Sequence, residues 1–348
     1  MEAMRASEMT PRQRFLAAIH GNPLDRVPVF PLLMFLPADR AGISYRTYAT
    51  EGSAMADAQL LVQQRFGLDA ISACSDAFRL AADLGGDMAF PEDNPPFLQQ
   101  PLLSSANELS RLVRPDPMMS GGRMHDRVRA VEQMVRGVAG RVAVLGWVDL
   151  PFAEACSLCG ITEFMMLLVD DPDGAHRILR FLTDLVIDFA LAQVAAGADM
   201  VGAGDAAASL LSLPMYEEFA LPYEQEVCNA IHAAHSLMKL HICGDTTRLL
   251  SALVRVDADL YNVDHLVPFA QAVAIYGAAG KCFKGNLDPV SEMMQVTPEA
   301  CAATAHERLL AARGKRYILS AGCEVPAATP DAVLQAFCAA TTAATSAR

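Results

Sequence analysis

The run LMKLHICGDTT, residues 237–247, carries an apolar stretch into His241 and Cys243 and then breaks at Gly244-Asp245. Side chains two apart on a strand share a face, so His241 and Cys243 are expected to look the same way. A third soft donor, Cys323, closes another apolar run, RYILSAGCEVP at 316–326. An imidazole with two thiolates is a three-ligand zinc set that leaves a fourth position open, the layout of a catalytic rather than a structural site. Spacing alone also permits three unrelated core residues.

Zinc held this way offers two chemistries. It can deprotonate an incoming thiol to a thiolate nucleophile, or turn a bound water into hydroxide for hydrolysis. Two thiolate ligands lower the net charge of the centre and with it the Lewis acidity, which favours alkyl transfer.

Such a trio needs elements that bring distant segments to one rim. Eight apolar runs of β type recur, at 26–35, 68–76, 141–149, 198–205, 237–245, 259–265, 281–289 and 316–326. Each is followed by helical periodicity, including a helix over about 50–66, and a further helix opens the chain at roughly 10–20. Near-continuous apolar strands alternating with helices mean a parallel sheet covered on both faces, and eight of them indicate a closed (β/α)8 TIM barrel of the α/β class. The segment 77–140 is too long for an ordinary connection and holds the Pro- and Gly-rich PEDNPPFLQQP and RPDPMMSGGR. It reads as an excursion over the barrel mouth with short helices, inside one domain spanning 1–348.

Barrel chemistry sits at the C-terminal strand ends, and here those ends are polar: Asp76, Asp149, Asp205, Asp264 with His265, Asn286 with Asp288, and Glu324. Capping of the following helices is the plainer account of such residues, but a thiol is a poor cap. Asp149, Asp205, Asn286 and Glu324 are candidate substrate contacts, and Asp76 and Asp264 are candidate catalytic groups.

The 348 residues are 53% hydrophobic and 19% charged, which suits a large core. No uninterrupted apolar run reaches the ~18 residues a membrane span needs. The opening MEAMRASEMTPRQRF lacks the apolar core of a signal peptide, an expectation of the cytoplasm. A net charge of −13 without a basic cluster excludes a nucleic-acid binder. Nine scattered cysteines argue against a disulfide framework.

Along essentially its whole length the chain resembles the uroporphyrinogen decarboxylase superfamily. The matching pieces are TPRQRFLAAIHGNPLDRVPV near the start, Ser75-Asp76, Pro151-Phe152, HICGD at 241–245, GNLDP at 285–289 and SAGCEVPAATP at 320–330. The His-x-Cys with a distant Gly-Cys resembles the corrinoid-linked zinc methyltransferase branch. That resemblance implies zinc on His241, Cys243 and Cys323. It also implies methylcobalamin or another corrinoid as co-substrate, and a small-molecule thiol or related acceptor or donor. Because the chain holds no Asp-x-His-x-x-Gly motif, the corrinoid is expected on a separate protein, or free. Asp264 falls where related zinc enzymes place an acidic ligand; one methylene shorter than the usual glutamate, it would either ligate or brace His241. Besides a barrel kept only as a binding or assembly subunit of a corrinoid complex, with zinc serving structure, two alternatives stay open. One is a tetrapyrrole decarboxylase, whose aspartate Asp76 matches, although its Met-Arg-Gln-Ala-Gly-Arg run is LMFLPADRAG here and its Gly-His-Gly is Gly322-Cys323-Glu324. The other is the reverse reaction, demethylation of a methyl ether or methylamine onto cobalt.

Overall fold

The structure, a computed structural model, describes residues 9–343. Seven parallel strands run in chain order through one curved sheet: β1 Ala70–Ser72, β2 Ala143–Asp149, β3 Met200–Gly204, β4 Leu237–His241, β5 Leu260–Asn262, β6 Cys282–Leu287 and β7 Tyr317–Ala321. Each lies inside one of the expected runs. Helices cover the outside, as buried parallel strands require.

The eighth run, 26–35, is not a regular strand. Pro28 and Pro31 offer no N–H, so a continuous ladder cannot form. Only two bridges to the last strand's side remain, Val29 with Leu319 and Leu32 with Glu324. The segment still closes the ring: Phe30 N–H donates to the Leu319 carbonyl at 3.0 Å, and Asp69 N–H donates to the Val29 carbonyl at 3.0 Å on the opposite side. The buried Asp69 carboxylate secures this seam by accepting from Val29 N–H at 2.7 Å, from Arg14 at 2.6 Å and from Arg26 at 2.8 Å. The fold is therefore an α/β barrel of the TIM type.

The opening helix Pro11–His20 shows how local sequence sets this frame. Thr10 and Gln13 form a capping box, Pro11 takes the first helical position, and Gly21 ends the helix at φ 72°. Its Phe15, Ala18 and Ile19 pack against Ala70, Ala143, Met200, Leu260 and Ile318 at the starts of the strands. The opposite end of the barrel is left for the polar residues.

Between β1 and β2 lie a short helix Arg79–Asp83, a two-stranded antiparallel pair (Met88–Ala89 and Phe97–Leu98), a 3-10 turn Ala106–Arg111 and a helix Arg123–Val138. That last helix packs on Gly52–Phe66 as an ordinary crossover helix, so the irregular excursion is shorter than the 77–140 expected. Among the described residues no single helix is long and apolar enough to cross a membrane.

Candidate metal centre

His241 is the last residue of β4, and Cys243 lies two residues beyond it, just before a bend at Gly244, whose φ is +93°. The two side chains, two residues apart, turn to the same side. The imidazole Nε2 is 3.0 Å from Cys243 Sγ and 3.7 Å from Cys323 Sγ, and the two sulfurs are 3.3 Å apart. All three donor atoms fall within 4.8 Å of one another. Cys323 follows β7 through Gly322, whose carbonyl accepts from Asn262 Nδ2 at 2.8 Å. A Cβ at Gly322 would stand 2.3 Å from the His265 backbone nitrogen, so only glycine lets the Cys323 turn come this close.

The donor set fits zinc. Tetrahedral zinc with bonds of ~2.0–2.3 Å spaces its ligand atoms by roughly 3.5–3.8 Å, and the observed separations lie within about half an ångström of that. The shared Cys243–Cys323 hydrogen bond pushes the Cys243 thiol up and holds Cys323 down, with His241 assisting. Two sulfurs this close cannot both ionise without a counter-charge, which a divalent cation would provide. His241 Nδ1 is buried without a partner, so Nε2 is the nitrogen aimed at the sulfurs.

Asp264 is 3% exposed, and its carboxylate accepts the N–H of Gly244 at 2.9 Å and of Leu266 at 2.9 Å. It stands outside the trio of converging donors and fixes the turn after Cys243. Asp76 is locked by Arg123 in a two-point ion pair at 2.7 and 2.8 Å. Burial opposes its ionisation, yet the Arg123 charge and hydrogen bonds hold the carboxyl well below its ordinary range. Asp149 pairs with the buried Arg79; burial pushes it up to about 6 although Arg79 pulls the other way.

Asp205 caps the neighbouring helix Pro151–Cys159 by accepting from Ala153 N–H at 2.7 Å, and burial beside Glu224 raises its pKa. Asn286 faces the barrel wall, donating to the Asp264 and Val267 carbonyls at 3.2 and 2.8 Å and accepting from Arg308 at 3.1 Å. Glu324 accepts from Phe35 N–H at 3.1 Å and braces the 26–35 segment; burial pushes it up to about 7. Asp288 caps its own turn through Val290 and Ser291 N–H. Of the four candidate substrate contacts, Asp149 lines the cavity beside Cys243.

That cavity, about 550 Å³, is bounded by Phe78, Leu98, Pro101, Asp149, Leu210 and Cys243 among others. Beneath the trio lie two wholly buried lysines that the sequence reading passed over. Lys239 Nζ has no hydrogen-bond partner and sits 4.4 Å from the Trp147 ring centre; burial brings it down to about 8. Lys284 donates to the Phe30 carbonyl at 2.7 Å. The available signal was their place: Lys239 stands two residues before His241 in an apolar strand, and so on the same inward face.

A closed α/β barrel whose C-terminal rim gathers one imidazole and two thiols beside a cavity has the architecture of an enzyme with a candidate soft-metal centre. The chain belongs to the uroporphyrinogen decarboxylase (URO-D) family, which it matches over residues 10–344. It is 28% identical over 338 residues to a methylcobamide:CoM methyltransferase of Methanosarcina mazei, covering 94% of this chain and 96% of that one. It is also 28% identical over 308 residues to a uroporphyrinogen decarboxylase of Xanthomonas oryzae pv. oryzae, covering 84% of this chain and 85% of the relative. A solved methyltransferase structure from Methanosarcina mazei shares the fold at a TM-score of 0.87, with 23% identity over 97% of this chain and 99% of that one.

Proposed function

We propose that this protein is a zinc-dependent methyltransferase that moves a methyl group between a corrinoid and a thiol or related small molecule. The observation that carries the reading is the convergence of His241, Cys243 and Cys323 donor atoms within 4.8 Å at the rim of a cavity. These three residues would hold the zinc, which when bound lowers the pKa of a thiol so that it reacts as thiolate near neutral pH.

The chain's own residues prepare that site. Asp264 holds the Gly244 turn and with it the position of Cys243. Asn262 and the bare Gly322 hold Cys323 against β5. Phe78, Leu98 and Leu210 give the cavity an apolar wall beside Cys243. The corrinoid would come from a separate protein docking at the rim, or as free methylcobalamin. The same arrangement serves both directions, so demethylation of a methylated donor uses the same residues.

The decarboxylase alternative requires cations around a tetracarboxylate. Among the described residues no Lys or Arg lines the cavity beside Cys243, and Arg40, the one arginine near the missing signature, is bound to Asp331 at 2.6 Å and to the Ala327 carbonyl at 2.9 Å. The test is incubation of zinc-loaded protein with methylcobalamin and a panel of thiols, followed by the corrin absorbance. Loss of the methylcobalamin spectrum with formation of methyl thioether supports the reading. Release of CO2 from uroporphyrinogen by metal-free protein, with methylcobalamin untouched, overturns it.

A further inference from the structure

We infer that the cavity beside Cys243 selects an uncharged, largely apolar thiol, or its methyl thioether, and discriminates against thiols that carry a sulfonate or carboxylate. The inference rests on the methyl-transfer reading and specifies its substrate class.

The walls are Phe78, Leu98, Pro101, Ile161 and Leu210, with the ionisable side chains restricted to Asp149 and the thiols of Cys156 and Cys243. Among the described residues none that lines the cavity is cationic. Nearby guanidinium groups are each held by a carboxylate or by carbonyls, with the Nε of Arg79 and of Arg123 buried and unpartnered. Arg79 is 1% exposed and is held by Asp149 and by the Asp76 carbonyl. Arg123 is paired at two points with Asp76. Arg248, on the outside of the rim, donates to the Leu211 carbonyl at 3.0 and 2.8 Å and to the Ser209 and Asp245 carbonyls. Lys239 lies below, against Trp147 and Phe30.

An anionic tail entering this space would lose its water against hydrocarbon and find no counter-charge. On the wall it would meet Asp149, whose carboxylate is already paired with Arg79, in a protein whose net charge is −13. An alkyl or aryl tail gains instead, since each methylene buried tightens binding roughly fourfold. The volume of about 550 Å³ suits one small molecule.

The chain carries its own reporter. Trp147 is its single tryptophan, 4% exposed, with its ring centre 6.4 Å from that of His241. Zinc-loaded protein is titrated with butanethiol, benzyl mercaptan, homocysteine and 2-mercaptoethanesulfonate, reading Trp147 fluorescence and calorimetric heat. The uncharged thiols are expected to bind at least tenfold more tightly than 2-mercaptoethanesulfonate. Leu210→Arg, at a cavity-wall residue 62% exposed to solvent, is expected to narrow or reverse that preference by at least tenfold. Equal or tighter binding of 2-mercaptoethanesulfonate by the wild-type protein overturns the inference and leaves methyl transfer standing. Failure of every thiol to bind the zinc-loaded protein overturns the inference together with the thiol-acceptor reading.

Discussion

Cys243 Sγ and Cys323 Sγ lie 3.3 Å apart although 80 residues separate them in the chain. They follow β4 and β7, which are not neighbours in the sheet; β5 and β6 stand between them. Only a sheet curled into a barrel brings those two ends together, so the thiol pair depends on the closure that Val29, Phe30 and Asp69 make on the other side. Two thiols this near are also open to oxidation when no metal covers them. In chelated protein exposed to diamide, the pair is expected to lose two thiols as one intrachain disulfide, while zinc-loaded protein keeps all nine. Thiol counting and peptide mass mapping check this; equal rates with and without zinc would contradict it.

Asp264 acts on the trio through the backbone. Removing its carboxylate in Asp264→Ala frees the Gly244 N–H that it accepts at 2.9 Å and loosens the turn that sets Cys243. Loss of such an outer partner weakens metal sites by about 10–100-fold. Competition against a zinc chelator should show that loss while circular dichroism stays unchanged, and Asp264→Asn, which keeps one acceptor oxygen, should fall between.

The Asp76–Arg123 pair makes a stability prediction. Arg123→Met leaves a buried carboxylate without its partner, at a cost of about 3–5 kcal/mol, read from urea unfolding near neutral pH. The pH dependence has a definite sign. Asp76 has a folded pKa below its unfolded value of 3.8, so its stabilisation is complete above that value and disappears as the pH falls toward the folded one. In Arg123→Met burial is offset only by the Arg79 charge and the Ser75 hydroxyl, so the folded pKa rises toward the unfolded value and the acid limb flattens. Parallel acid limbs in the two proteins would contradict this.

Gly322→Ala tests the close approach at Cys323. Its new Cβ would meet the His265 backbone nitrogen at 2.3 Å and the Asp264 carbonyl carbon at 3.0 Å, and neither is the end of a flexible side chain. The expected outcome is a loss of about 1–3 kcal/mol with weakened zinc binding. Unchanged zinc affinity would mean that the turn adapts without moving the sulfur.

The barrel was legible because buried parallel strands leave long apolar runs, and seven of the eight runs contain a strand. The exception, 26–35, looked like a strand by hydropathy, but Pro28 and Pro31 deny it a ladder. The converging trio was legible from soft donors at strand ends, and His241 and Cys243 face the same side although the ladder ends at His241. Partners were not legible. Nothing near Asp76 in the chain announces Arg123, 47 residues on, and nothing near Asn286 announces Arg308. A strand-end carboxylate looks the same in sequence whether it faces a cavity, as Asp149 does, or caps an adjacent helix, as Asp205 does.

The most direct test of the central claim is elemental analysis of the purified protein beside Cys243→Ala and Cys323→Ala. The account predicts about one zinc per chain for a single three-residue site, with most of it lost in each variant while the far-ultraviolet spectrum of the barrel is retained. Full zinc occupancy in both variants would contradict it.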